Sequence, residues 1–181
     1  MVSAEEKIAN EQKAEASALA AEAEASVAEA NASLEVTLAE VKKLKKDHLN
    51  EIKAFTNPAI VIRVVLGGIV ILLQDKIKAA GGQVVIKTVD GKKEEDYFET
   101  AKKYLLNDVT TLMKDLTEYK KENINPALIK KLTERILNEP EFTLDRAKTS
   151  SYAIQFLYLW VKAMYDFNKV FNETRPLREK L

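Results

Sequence analysis

His48 is the only histidine in the 181 residues, and there is no cysteine. A nucleophile–histidine–carboxylate relay needs an imidazole to take the nucleophile's proton. Here it would have to be assembled around His48, within a coiled-coil-like stripe remote from the apolar part of the chain. One imidazole and no thiol exclude the clustered ligand sets that hold zinc and its relatives, so no metal site is expected. The five glycines, Gly67, Gly68, Gly81, Gly82 and Gly91, fit neither G-x-x-x-x-G-K-[ST] nor G-x-G-x-x-G. Carboxylates are plentiful, yet none lies in an apolar setting that would raise it into the range of a general acid. Neither catalysis nor a bound cofactor is expected of this chain. The chemistry that remains is charge: basic side chains that meet an acidic partner.

That charge is unevenly laid out. The chain is neutral overall, but residues 1–57 hold 7 Lys and Arg against 11 Asp and Glu, and residues 58–181 hold 21 against 17. The excess in the second part is too small to indicate nucleic acid, and the acidic arm argues against an RNA-binding role. It is compatible with a locally basic face for an acidic protein, and equally with a solvated surface of mixed charge. The longest apolar run, "IVIRVVLGGIVILL" at 60–73, is too short to span a bilayer and carries Arg63. The N-terminus lacks the basic-then-apolar pattern of a secretory signal. A soluble, intracellular chain is the expectation, with neither membrane nor nucleic acid as partner.

The elements that must position these charges fall into an arm and a head. Residues 4–32 are rich in Ala and Glu with no Gly or Pro, so a long helix is expected. Val27, Leu34, Val41, His48 and Phe55 recur every seven residues, the coiled-coil interval. Two overlapping seams share the arm. One runs 34, 38, 41, 45, 48, 52, 55, the other 34, 37, 41, 44, 48, 51, 55. Such near-degeneracy fits a loosely specified coiled coil, or a helix that slides between two registers.

The arm ends at Asn57-Pro58, where Asn57 is placed to cap a helix and Pro58 to occupy its first position. The apolar run beyond it looks like two strands around Gly67-Gly68 on local pattern. Its context argues instead for a buried helix whose glycines allow close approach. "GGQVVIKTVDGKK" at 81–93 has alternation and an Asp90-Gly91 turn, hence a hairpin. Helices are expected after Asp96, whose spacing to Glu99 suits a capping box, and after Asn107. Asn125-Pro126 opens another, which Pro140 follows, and Thr143 opens a short turn ending near Ala147. The last helix carries one stripe, Ala153, Phe156, Leu157, Trp160, Met164, Phe167 and Phe171, with Trp160 as a core anchor. Pro176 is expected to interrupt "NETRPLREKL", leaving one charged turn.

Two stretches bracket the head, "FTNPAIVIRVV" and "FNETRPLREKL"; between them lie "ENINPALIKK", "NEPEFTLDRAKTSS" and "FLYLWVKAMYDF". In that order they resemble the stalk tip of dynein heavy chains, the microtubule-binding domain with its flanking coiled coil, over residues 34–181. One proline follows the asparagine where the family commonly has two, and Gly67 stands where an acidic residue is common. The 81–93 segment resembles the flap insertion of some axonemal dyneins.

The resemblance implies a mainly α fold: a small helical bundle head on an antiparallel coiled-coil stalk, with a β-hairpin flap. It implies an outgoing stalk helix over 1–57, with 1–25 unpartnered, a head over 58–175, and a returning stalk helix from 176. Pro58 and Pro176 would mark the stalk–head junction. The partner would be the microtubule, that is α/β-tubulin, with the rest of the dynein heavy chain attached through the stalk. Arg63 would meet tubulin from the first head helix, although a lone arginine in an apolar run also serves as a snorkelling edge residue. Arg146 and Lys148 would form a second contact, with Lys114, Lys120 and Lys121 as further ones. Lys87, Lys92 and Lys93 would give the flap a basic tip. Affinity would follow coiled-coil register. ATP would belong to the parent motor, in the cytoskeleton of a ciliary or flagellar axoneme, of which this chain would be an excised part. The competing reading is a coiled-coil adaptor with a helical protein-binding head.

Overall fold

The computed structural model describes residues 3–179. Helix α1 (Ala4–Val41) starts at Ser3, whose hydroxyl accepts the Glu6 amide at 3.2 Å and satisfies one of the free N–H groups of the first turn. It packs along α9 (Tyr152–Glu179) and runs opposite to it, since α2 (Lys46–Lys53), the next element after α1, meets Tyr152 at the start of α9. The α1 stripe buried in the chain is Ala20, Ala23, Leu34, Leu38 and Val41. Burial therefore reaches Ala20, short of the residue-25 boundary expected for an unpartnered segment; Ser3–Leu19 are exposed.

The arm is not one helix. It breaks between Val41 and Lys46, although "KKLK" consists of good helix formers. The reason lies in the seam. A continuous helix on the 34, 38, 41 stripe would next turn Lys45 and His48 inward. The break instead buries Leu44 and Leu49, at 5% and 0% exposure, and leaves Lys45 outside. Burying each leucine contributes about 1.5–3 kcal/mol, which exceeds the few tenths per residue lost to an interrupted helix.

In the head, α3 (Ile60–Leu72) is buried from Val65 onward. The run is a helix because α5, the segment after α7, and α9 all close on it, which overrides its local β preference. The glycines permit this: a Cβ at Gly67 would lie 2.9 Å from Ile136 Cδ1 and Tyr97 Cδ2, and one at Gly68 2.9 Å from Val161 Cγ1. After α4 (Gln74–Ala79), strands β1 (Ile86–Val89) and β2 (Lys92–Glu95) form an antiparallel hairpin in the register Ile86–Glu95 to Val89–Lys92. Asp90 and Gly91 both have positive φ, 52° and 77°, as a two-residue primed turn requires.

Helices α5 (Tyr97–Tyr104), α6 (Val109–Thr117), α7 (Pro126–Leu132) and α8 (Leu144–Ser150) are capped by Asp96, Asp108, Asn125 and Thr143. A wide π turn, Thr133–Leu137, extends α7. Trp160 is fully buried on α9, and its indole N–H donates to the Leu116 carbonyl at 2.9 Å. Tyr119 packs edge-on against it and donates its hydroxyl to the Leu72 carbonyl at 2.7 Å. One polar cluster thus pins α3, α6 and α9 together.

Three local expectations are corrected. Helix α3 starts two residues after Pro58, with Ala59 at its cap, and Asn57 does not cap it. The Asn57 side chain is taken up by Arg63 instead. Asp108, not Asn107, caps α6; the Asn107 amide closes back on the Lys103 carbonyl and its oxygen accepts from Lys53. Pro176 does not end α9, which continues through it to Glu179. Beside the proline, Arg178 donates to the Thr174 hydroxyl at 3.1 Å and to the Phe171 carbonyl, which ties the turns on either side of Pro176 together.

Candidate functional site

Arg63 leaves α3 one turn after the junction with the arm. Its Nε donates to the Pro58 carbonyl at 3.2 Å and its Nη2 to Asn57 Oδ1 at 3.1 Å. The side chain is half-buried and borders a cleft of about 160 Å³, shared with Lys87, Glu94, Glu95 and Tyr97 at the base of the hairpin. The guanidinium is thus bonded to the junction, and the Arg63 side chain borders the base of the flap.

Arg146 and Lys148 lie on α8, which packs against α3, so the helices bearing the two expected contacts are neighbours. Arg146 is two-thirds exposed, 3.6 Å from Glu141. Lys148 is exposed and has no ion-pair or hydrogen-bond partner among the described residues. Thr143 caps this short helix, and Ala147 anchors it in the core between the two basic residues. The charges therefore point outward by helical geometry.

The other lysines form separate groups. Lys114 is exposed on α6, and Lys120 is exposed beside a cleft of about 250 Å³ near Tyr119. Lys121 lies 5.4 Å above the ring of Phe167 and 3.6 Å from Glu122. Phe167 is fifteen residues into α9, about 22 Å along the helix from Tyr152, where α8 hands over. Lys121 therefore lies nearer the stalk than the α8 pair does. On the hairpin, Lys92 and Lys93 are exposed at the tip, and Lys87 sits 3.9 Å from Asp96.

A further cluster escapes sequence inspection. The carboxylate of Glu95, the last residue of β2, is held by Lys131 at 2.8 Å and Arg135 at 3.3 Å. Arg135 also donates to the Tyr97 hydroxyl at 2.8 Å, and Tyr97 packs over Gly67 of α3. This latch fixes the base of the hairpin to the head. Its only sequence trace is the four-residue spacing of Lys131 and Arg135, which puts them on one helical face. Burial pushes the Tyr97 phenol up, as does the adjacent Glu95 carboxylate, to about 12. Burial also pushes Glu95 up, but hydrogen bonds from Lys131 and Tyr97, with the charges of Lys131 and Arg135, outweigh it and hold the carboxyl below its ordinary 4.5.

A depressed folded-state value means that the latch stabilises fully above the unfolded-state value and is lost as pH falls through the lower one. Glu95→Gln is therefore expected to cost about 1–2 kcal/mol at pH 7. The gap to the parent chain should shrink as denaturation is measured below pH 4.5. A gap unchanged between pH 7 and pH 3 would remove the charge from the explanation.

Among the described residues no group of His, Cys, Asp and Glu could hold a metal ion, and no helix is long and apolar enough to cross a membrane. The arrangement is that of a helical head on a two-helix arm. Comparison with known proteins gives it relatives. A family model described as the microtubule-binding stalk of dynein motor matches residues 1–181. The chain is 34% identical over its full length to human dynein axonemal heavy chain 3, and 36% identical over 99% of its length to rat dynein axonemal heavy chain 1. It spans 4% of the length of each. A solved structure, the microtubule-binding domain of dynein-c, superposes with a TM-score of 0.64 at 29% identity, covering 88% of this chain and 97% of that one.

Proposed function

Because this chain belongs to the family of microtubule-binding stalks of dynein motors, we propose that it holds α/β-tubulin through a basic face built by α3 and α8. The family is the track-binding stalk and not the ATPase, so the chain is not itself an enzyme. Arg63, Arg146 and Lys148 form the face, with Lys114, Lys120 and Lys121 on its stalk side and Lys87, Lys92 and Lys93 on the flap. The observation that carries the reading is the packing of α8 against α3. It makes the helix that bears Arg146 and Lys148 a neighbour of the helix that bears Arg63, and Arg63 is bonded to the junction with the arm. Residues 1–57 act as the outgoing stalk strand, 58–175 as the head, and 176 onward as the returning strand, with Pro58 and Pro176 at the junction.

Sliding of α1 against α9 changes the position of α3, and with it the affinity for tubulin. The rest of the heavy chain attaches through the stalk and supplies ATP hydrolysis, and the parent motor works in the axoneme; its axonemal relatives support this reading. An adaptor that dimerises through its arm is disfavoured, because the apolar stripe of α1 is already covered by α9 of the same chain.

Co-sedimentation tests the proposal. The folded chain should pellet with microtubules at low ionic strength and be released as salt is raised, since the attraction is between exposed charges. A monomeric, folded chain that stays in the supernatant at every salt concentration overturns it.

A further inference from the structure

The break in the outgoing stalk strand, favoured by burial of Leu44 and Leu49, is closed by one further side chain. The Lys45 backbone N–H donates to His48 Nδ1 at 3.0 Å, and the His48 amide returns a bond to the Lys45 carbonyl at 3.1 Å. Lys45 is extended (φ −119°, ψ 163°), so the imidazole closes the N-terminus of α2 where α1 has already stopped. The His48 ring also lies 4.6 Å from that of Tyr152, the first residue of α9. The single histidine of the chain therefore sits where outgoing strand, returning strand and head meet.

We propose that His48 is a positioning residue whose neutral imidazole locks the stalk in its broken register, and that protonation releases it toward a continuous α1–α2 helix. An acceptor nitrogen facing an N–H needs its lone pair. Protonated, Nδ1 becomes a second donor aimed at a donor, and a positive charge is placed at a helix N-terminus, which the helix dipole disfavours. Histidine is the side chain whose charge changes between pH 5 and 8.

The competing state is specific. A continuous helix would bring Lys45 and His48 to the seam in place of Leu44 and Leu49, on the first of the two overlapping stripes. The charged groups around His48 are Lys42, Lys43 and Lys45 of the turn, with Lys46, Asp47 and Glu51 of α2. From α9 only Tyr152 reaches it as an aromatic neighbour, and the first charged residue of that helix is Lys162.

The absence of native cysteine allows a clean test. Spin labels on cysteines at the exposed positions Glu35 and Asn50 report the break, because a continuous helix would hold their backbones about 22 Å apart. Between pH 8 and 5.5 the distance distribution of the parent chain should move toward that value. The ratio of broken to continuous forms should change about fivefold, as for loss of a helix cap. His48→Gln keeps an acceptor at this position at every pH and should stay broken at both. His48→Ala should raise the share of the continuous form about fivefold at both. Identical pH responses of the parent and His48→Gln, or a His48→Ala distribution equal to that of the parent at pH 8, overturn the proposal.

The inference rests on the reading of the chain as a register-controlled binding head, and microtubule affinity separates the two. Distances that move with pH while affinity, relative to His48→Gln, does not would sink register control of binding and leave the His48 lock standing.

Discussion

Arg146→Glu with Lys148→Glu is expected to weaken microtubule binding by about 30- to 100-fold at low salt, while leaving the fold intact. Both side chains are exposed, and among the described residues the only ion pair that either makes is the 3.6 Å contact of Arg146 with Glu141. Surface substitutions of this kind usually change stability by less than about 0.5 kcal/mol. Against an acidic track, however, two attractions become two repulsions on one short helix that Thr143 and Ala147 hold in place. A combined loss of about 2–3 kcal/mol corresponds to that change in Kd. The affinity that remains should also depend less on salt, since fewer favourable charge contacts are left to screen. Lys114→Glu with Lys120→Glu reverses two exposed charges on α6 and on the turn that follows it. A smaller loss there would centre the interface on α8, and an equal one would extend it to α6. An Arg146/Lys148 variant that is folded and binds within twofold of the parent would exclude α8 from the interface.

Trp160→Ala should be the most damaging single truncation in the head. The ring is fully buried, and its removal leaves a large void where α3, α6 and α9 converge. Such truncations cost about 3–5 kcal/mol. The Leu116 carbonyl would also lose the indole N–H at 2.9 Å, and an unpaired buried acceptor adds about 1–3 kcal/mol. Trp160→Phe refills most of the volume without the donor and should cost distinctly less. The comparison therefore separates packing from the hydrogen bond. Denaturant unfolding followed by far-ultraviolet circular dichroism is the suitable measurement, because the only tryptophan is the one removed. A Trp160→Ala loss below about 1 kcal/mol would mean that the cluster does not hold the three helices together.

Short-range chemistry made part of this legible from residues alone. The Asp90-Gly91 turn, the Asn125-Pro126 start, the caps at Asp96 and Thr143 and the apolar stripe of α9 each depend on residues within a turn of one another. The family resemblance likewise lay in ordered local stretches, and the whole-chain family match bears it out. Where neighbouring residues offered alternatives of similar strength, the choice lay elsewhere in space. Asn57 could cap a helix, but Arg63 claims its side chain. Asn107 and Asp108 compete for one cap, and the acceptor-only carboxylate takes it. The Glu95 latch joins segments thirty-six and forty residues apart, and nothing local announces it.

The amino-acid sequence by itself settled which stretches could be helix, hairpin or turn, and that the chain pairs an arm with a head. Local pattern at 60–72 favoured strands and only context argued for the helix that forms there; the tertiary structure alone decided that α9 passes through Pro176 and that the arm breaks at 42–45. For the 60–72 helix and the break the physical reason is the same. Local preferences differ there by fractions of a kcal/mol per residue, whereas burying Leu44 and Leu49, or closing three helices over Gly67 and Gly68, is worth several.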